Sequence, residues 1–218
     1  MARTKHQEYV SSFMHGAAGI AAIAGMVVLI VLSAIDRTPW HVVGFSVYGT
    51  SLVILYASSF LYHLVSAVRG YHKTFQSIDY AMISILIAGT YTPVTLISLR
   101  GGWGWTLFGI IWLMAVASII LRLATPLFKG WVPAVYYLIM GWLIIIAIGP
   151  LSAALSPAAL WWLFIGGIFY TLGTGFFALE RFVRLSSRFG MHELFHVFVV
   201  FGSVSHFVMM YRYVLSGQ

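Results

Sequence analysis

The sequence predicts an all-α membrane protein, a single domain over residues 1–218 built as a bundle of seven transmembrane helices, with its N-terminus cytoplasmic and its C-terminus outside. Three observations carry that expectation. Hydrophobic residues make up 61% of the chain and charged residues 8%, with a mean hydropathy of +0.95, whereas a soluble domain carries about 25% charged residues. Apolar runs close to the ~20 residues that cross a bilayer recur with short polar breaks between them. The cations, finally, alternate in density from one break to the next.

Spans are expected at 15–35, 41–65, 78–99, 104–124, 132–149, 158–179 and 192–215. The first follows MARTKHQEYVSSFMHG and continues to Ile35 without a small-residue cleavage pattern, so it reads as a retained span and not as a signal peptide. Asp36-Arg37-Thr38-Pro39 separates it from the second, and Gly70-Tyr71-His72-Lys73 separates the second from the third. Pro93 lies inside the third span and is expected to kink it, freeing a carbonyl near Gly89. Gly101-Gly102-Trp103-Gly104 opens the fourth. The stretch from Pro126 to Pro133 precedes the fifth, and the stretch from Gly149-Pro150 to Ser156-Pro157 ends it. In the sixth, Gly166, Gly167, Gly173 and Gly175 are expected to admit a neighbouring helix closely. Trp40, Trp103, Trp105, Trp131, Trp161 and Trp162 fall near span ends and suit an aromatic belt. No linker, low-complexity segment or fixed-period repeat interrupts this order.

Orientation follows from the cations. Arg3, Lys5, Arg69, Lys73, Arg122, Lys129, Arg181, Arg184 and Arg188 fall on one side, and only Arg37, Arg100 and Arg212 on the other, a division of nine to three. The richer side is the cytoplasmic one. The formal charge of +7 is therefore a topological signal and not a nucleic-acid footprint. With no cysteine in the chain, disulfides, thiolate metal sites and thiol catalysis are excluded, so any metal must be held by His and carboxylate.

The chemistry converges on the last span, MHELFHVFVVFGSVSHF at 191–207. His192, His196 and His206 share one helical face, and the first two rise only about 6 Å apart, which is metal-ligand spacing. Once every span has a direction, His15, His63, Asp79, His192 and His196 fall at one depth, in the cytoplasmic leaflet. Ser59 lies one turn from His63 on the same face. Nothing in local patterning requires those depths to agree. Intramembrane ionisable groups mark function by default, and His63, His192 and His196 as neutral imidazoles would leave zinc an open fourth position for water. Asp79 and Ser59 would then stand beside that water. Read bare, each of these residues is also a satisfied polar contact between helices. His206, about 15 Å beyond His196, is expected to make a helix-to-helix hydrogen bond. HELFH also spells HExxH, in which the Glu is the general base of a metalloprotease. Glu193 is rotated about 100° from His192, however, and suits the helix N-terminus equally well.

Together these residues resemble the haemolysin III family, the bacterial branch of the progestin and adipoQ receptor group. The likeness covers almost the whole chain: Glu8-x-x-Ser11-x-x-x-His15, Ser59-x-x-x-His63, Asp79-Tyr80, GlyThrTyrThrPro at 89–93, TyrLeuIleMetGlyTrp at 137–142, TyrThrLeuGly at 170–173, His192-x-x-x-His196 and His206-Phe207. The resemblance implies a seven-helix bundle with a cytoplasmic N-terminus in a bacterial inner membrane. It also implies a zinc ion on His63, His192 and His196, with Asp79 and Ser59 beside its water. The family's first motif has Asn where Ser11 stands, which weakens any hydrogen-bonding role carried to Ser11. Glu8 and His15 match and are placed near the cytoplasmic mouth; alone, they read equally as a solvated carboxylate and an interfacial imidazole. Three functions are consistent with this: a zinc-dependent hydrolase of an amide or ester bond in membrane lipid, a membrane sensor in which zinc is structural, and a pore-forming cytolysin. The expected partners are membrane lipids and zinc, with no nucleic acid.

Overall fold

The computed structural model describes residues 3–70, 72–125, 128–183, 185–186 and 188–217. Pro126 and Arg184, used above as loop punctuation and as an inner cation, lie outside the described residues. Seven helices are long and apolar enough to cross a membrane, as expected from the runs, and among the described residues there is no strand. They are α1 (Lys5–Asp36), α2 (Pro39–Arg69), α3 (Lys73–Pro93, continuing as a π-helical turn over Val94–Ser98), α4 (Gly102–Ala124), a fifth span made of α5 (Val132–Trp142) and α6 (Ile148–Ala154), α7 (Pro157–Leu179), and α8 (Met191–Met209, ending in a π-helical turn over Met210–Val214). An odd number of spans puts the two termini on opposite faces. Large apolar side chains such as Phe13, Ile20, Leu113, Leu123 and Phe182 stay exposed on the outer faces, where lipid replaces water as their solvent.

The first helix begins ten residues before the expected span. Thr4 caps it, accepting from the Gln7 backbone N–H at 3.2 Å while the Gln7 side chain accepts from the Thr4 N–H at 3.0 Å. This reciprocal capping box satisfies two amide groups that would otherwise have no partner at the helix start. Its consequence is positional. Glu8, Ser11, Ser12 and His15 become a continuous face of one helix, and all four are buried.

The fifth span differs from expectation in the other direction: helix continues past Gly149-Pro150 to Ala154. A 3-10 segment over Leu143–Ala147 restarts the hydrogen-bond ladder, so Pro150 falls in the first turn of α6, where its missing N–H costs nothing. Such a break leaves backbone groups open in a place without water. Tyr91 of α3 closes it. Its hydroxyl is shared between the Met140 and Gly141 carbonyls at 2.9 Å each and accepts from the Ile144 N–H at 2.8 Å. Tyr137 donates to the Tyr80 carbonyl at 2.9 Å, and Trp142 donates to Thr171 at 2.9 Å. The two sequence motifs at 89–93 and 137–142 therefore meet as one joint between the third and fifth spans. Past Pro93 the helix neither breaks nor resumes as regular α-helix but widens to the π turn, one recognised way of absorbing a lost backbone bond.

The helices α1, α2, α3 and α4 pack in sequence, α7 packs on α8, and α8 returns to α1. The glycines of α7 serve this unequally. A Cβ at Gly166 would collide with the His206 ring, and one at Gly173 would press on Phe198, whereas Gly175 faces open space and has no close neighbour to admit. The room at Gly166 lets His206 Nε2 reach the Leu163 carbonyl at 3.1 Å, the interhelical bond expected for His206. Ser203 ties three helices at the same level, bonded by Tyr56 at 2.7 Å and Tyr170 at 2.9 Å.

Replacing Tyr91 by Phe leaves buried backbone groups of the α5–α6 break without a partner. Tyr91→Phe is expected to lower stability by about 1–3 kcal/mol, read as a drop in the thermal unfolding midpoint of purified protein in detergent.

Candidate metal centre

The site is set by where α8 begins. Glu193 reaches back to accept from the Gly190 N–H at 2.6 Å, so its carboxylate satisfies the open end of the helix and interacts favourably with the helix dipole. Its other oxygen takes the Ser11 hydroxyl at 3.0 Å and an ion pair from Arg3. Glu193 is fully buried and committed on both oxygens. The protease reading of HELFH therefore loses its general base: this Glu is a cap and a brace, as its rotation from His192 allowed. Ser11 is also sharpened by the structure. In spite of its departure from the family's Asn it does hydrogen-bond, to Glu193 and to Arg3 at 2.7 Å.

With α8 so held, His192 and His196 face α2 and meet His63. The ring centroids are 5.2 Å apart for His63 and His192, and 4.8 Å for each of them with His196. One ligand nitrogen from each ring lies within 4.8 Å of the others, and all three residues are buried. Three ring nitrogens, His63 Nε2, His192 Nε2 and His196 Nδ1, are buried without a hydrogen-bond partner among the described residues. Leaving one such group open costs about 1–3 kcal/mol. Each of these three clustered imidazoles carries one such open nitrogen, and both nitrogens of His15 beside them are open as well, a concentration that is hard to account for unless something binds there.

The outward nitrogens are not open. His63 Nδ1 meets Glu8 at 2.6 Å, and His192 Nδ1 meets Glu180 at 2.9 Å. A carboxylate on Nδ1 assigns the proton to that nitrogen and leaves Nε2 as a lone pair, the support commonly found behind metal-bound imidazoles. Burying a carboxyl raises the pKa of Glu180 above its ordinary value, while the Arg3 charge works against that rise. Arg3 stands between the two layers, 3.1 Å from His63 Nδ1 and 3.4 Å from Glu8. The donor set, three neutral imidazoles backed by two carboxylates, fits a divalent cation of the zinc type.

Of the residues singled out in the sequence, His63, His192 and His196 come together, and His15 joins them, stacked on His196 with centroids 3.8 Å apart. His15 is buried and not interfacial, and Glu8 is buried and not solvated. Asp79 stands outside the cluster of three but is buried in the wall of an adjoining cavity of about 180 Å³, which Ser59 also lines. That cavity is lined by His15, Ser59, Asp79 and His192 at one end and continues along apolar side chains to Leu163 and His206. His192 and His206 both line it, which at 1.5 Å per residue makes it ~20 Å long.

Sequence reasoning missed Glu180 and Arg3. A signal existed for the first: the chain has five acidic residues, and any acid at the edge of an apolar span merits the suspicion given to Asp79. Arg3 carried no such signal, since a basic residue before the first span is what positive-inside topology predicts anyway.

Comparison with known proteins shows which family the chain matches. The family described as Haemolysin-III related matches residues 3–207. Hemolysin-3 of Bacillus cereus is 38% identical over 209 residues, covering 96% of this chain and 92% of that protein. The Hemolysin-3 homolog of Bacillus subtilis (strain 168) is 35% identical over 204 residues, covering 94% and 92%. The human Monocyte to macrophage differentiation factor is 25% identical over 215 residues, covering 96% and 85%.

Glu193→Gln removes the charge that Arg3 faces in a buried setting. Breaking such a pair costs about 3–5 kcal/mol, so the variant is expected to unfold at a lower temperature than the parent even when both are stripped with chelator. A general base would behave otherwise, losing turnover while keeping stability.

Proposed function

The chain belongs to the haemolysin-III related family, and we propose that it is a zinc-dependent hydrolase of membrane lipid that cleaves an amide or ester bond, with His63, His192 and His196 as the metal ligands. The observation that carries the reading is the convergence of three buried imidazoles, each with an unpartnered ring nitrogen, beside an apolar cavity lined by one carboxyl, Asp79. The asymmetry of the cations supports a cytoplasmic N-terminus and hence a site in the cytoplasmic leaflet of a bacterial plasma membrane.

Bound at the three imidazoles, zinc supplies a Lewis acid and a water whose pKa falls towards about 7. The remaining chemistry belongs to the chain. Glu8 and Glu180 hold the His63 and His192 rings in one tautomer. The apolar cavity takes the acyl chain and excludes bulk water, which strengthens every charge interaction at its polar end. In this reading Asp79, which lines the cavity with His192, accepts a proton from water in the site and returns it to the leaving amine or alkoxide, with Ser59 as polar support in the same wall. Overall, water adds across the acyl carbonyl, the bond to nitrogen or oxygen breaks, and a carboxylic acid and an amine or alcohol leave. A metal serving only to hold helices together would need neither the cavity nor a free carboxyl within it.

Two measurements test this. Purified protein is expected to carry about one zinc per chain by elemental analysis, lost in His196→Ala, and to weaken zinc binding 10–100-fold in Glu8→Gln or Glu180→Gln, the usual effect of removing a carboxylate behind a ligand histidine. Incubated with bacterial lipid extract, the protein is expected to release fatty acid, and Asp79→Asn to lower that rate about 10²–10⁴-fold while zinc stays bound. Turnover that survives both Asp79→Asn and His196→Ala would sink the hydrolase. Zinc retention without release of acid from any lipid would leave the metal a structural role, and leakage of liposomes that ignores chelator would favour a pore.

A further inference from the structure

A second cavity opens on the same end of the bundle and differs from the first in charge. Arg122 at the end of α4, Lys129 in the segment before α5, and Arg181 just after α7 line it together with Glu180, Tyr80 and Phe177. Positive-inside topology accounts for cations at this end, but not for three of them converging on one cavity. Among the described residues none of the three pairs with a carboxylate, since Glu180 is turned to His192. Arg122 stacks on Tyr80, its guanidinium carbon 4.4 Å from the ring centroid, and its Nε is buried with no hydrogen-bond partner. A guanidinium held against an aromatic ring with an unused N–H donor is suited to a planar or tetrahedral oxyanion.

The two cavities share walls. Tyr80 and Phe177 line both, and their rings touch edge to face at 6.1 Å. Glu180, in the basic cavity, bonds His192, which lines the apolar one. The boundary between a cationic compartment and an apolar one therefore runs past the candidate metal centre. A membrane lipid has that same layout, with charge, then the acyl carbonyl, then hydrocarbon.

We propose that the Arg122–Lys129–Arg181 vestibule binds the phosphate of an anionic phospholipid headgroup while the acyl chain enters the apolar cavity past Tyr80 and Phe177. The acyl carbonyl then lies at the boundary, next to His192. This rests on the hydrolase reading for its consequence, and it narrows the substrate class to acyl lipids with a net negative phosphate head. Neutral and zwitterionic lipids gain less, because the vestibule holds three cations against one committed carboxylate and offers a cationic choline or ethanolamine no free acid.

The test measures binding and turnover separately. Full-length protein in nanodiscs of dioleoyl phosphatidylcholine is titrated with dioleoyl phosphatidylglycerol, and retained lipid is read by native mass spectrometry, for the parent, for Lys129→Gln/Arg181→Gln, and for metal-free His196→Ala. Lys129 and Arg181 are exposed, so their replacement leaves the fold intact. The parent is expected to prefer phosphatidylglycerol at least 10-fold at low salt, the double variant to lose most of that preference, and His196→Ala to keep it. Equal retention of both lipids by the parent, or an unchanged preference in the double variant, overturns the proposal. Displacement of the lipid by millimolar inorganic phosphate or glycerol phosphate would make this a free-phosphate site and overturn the lipid assignment. If preference holds but no lipid is hydrolysed, the vestibule stands and the hydrolase reading falls; if a neutral lipid is hydrolysed with no preference, the reverse.

Discussion

In the hydrocarbon core of a bilayer no water is available to satisfy a polar group, so each one must find a partner in the protein or in something the protein binds. Most of this chain obeys by internal pairing. Tyr91 closes the break in the fifth span, Ser203 gathers two tyrosines, and His206 finds a carbonyl on α7. Among the buried side-chain atoms left without a partner, which include Arg122 Nε and both nitrogens of His15, are ring nitrogens of His63, His192 and His196, and the starts of α1 and α8 help bring those three rings together.

That holding is done by charges which are themselves costly to bury. The pair between Arg3 and Glu193 loses solvation that its Coulomb energy need not fully recover, so it is poorly explained as a stabilising device. Its geometric effect is plain, however. Through Ser11 and Glu193 it locks α1 against the start of α8, and the register of α8 decides where His192 and His196 point. Glu8 does the same for α2 through His63, and Glu180 for α7 through His192. Three of the five acidic residues, Glu8, Glu180 and Glu193, thus brace one centre, and a fourth, Asp79, lines the cavity beside it. In a membrane protein so poor in charge, this concentration marks that end of the bundle as the candidate site.

The boundary between apolar and cationic compartments gives the centre its polarity. Zinc sites with an open coordination position are common to hydrolases of many kinds, and the ligands alone do not select a substrate. In the proposed hydrolase, selection would come from what surrounds them: an apolar cavity on one side, cations on the other, and two aromatic rings between. A carbonyl flanked by hydrocarbon and phosphate meets all three at once.

The number of spans, their rough limits and the histidine partners of His63 were legible in the sequence because each depends on local quantities: apolar run length, cation spacing and the depth that a helix's direction assigns to a residue. The early start of α1 was legible too, in the Thr4-x-x-Gln7 capping pattern, but apolar run length conceals it because the helix extends into polar sequence. The rest was decided by tertiary structure. Which way Glu193 turns, whether Glu8 is solvated or buried, how Glu180 reaches His192 and how three cations from different segments come to share one cavity all depend on packing between helices, or on rotamers that the neighbouring helix chooses. Sequence by itself determined that a row of histidines would sit at one depth in a membrane; only the packed bundle decided which of their nitrogens would be left open, because an open nitrogen is defined by the partners it does not meet.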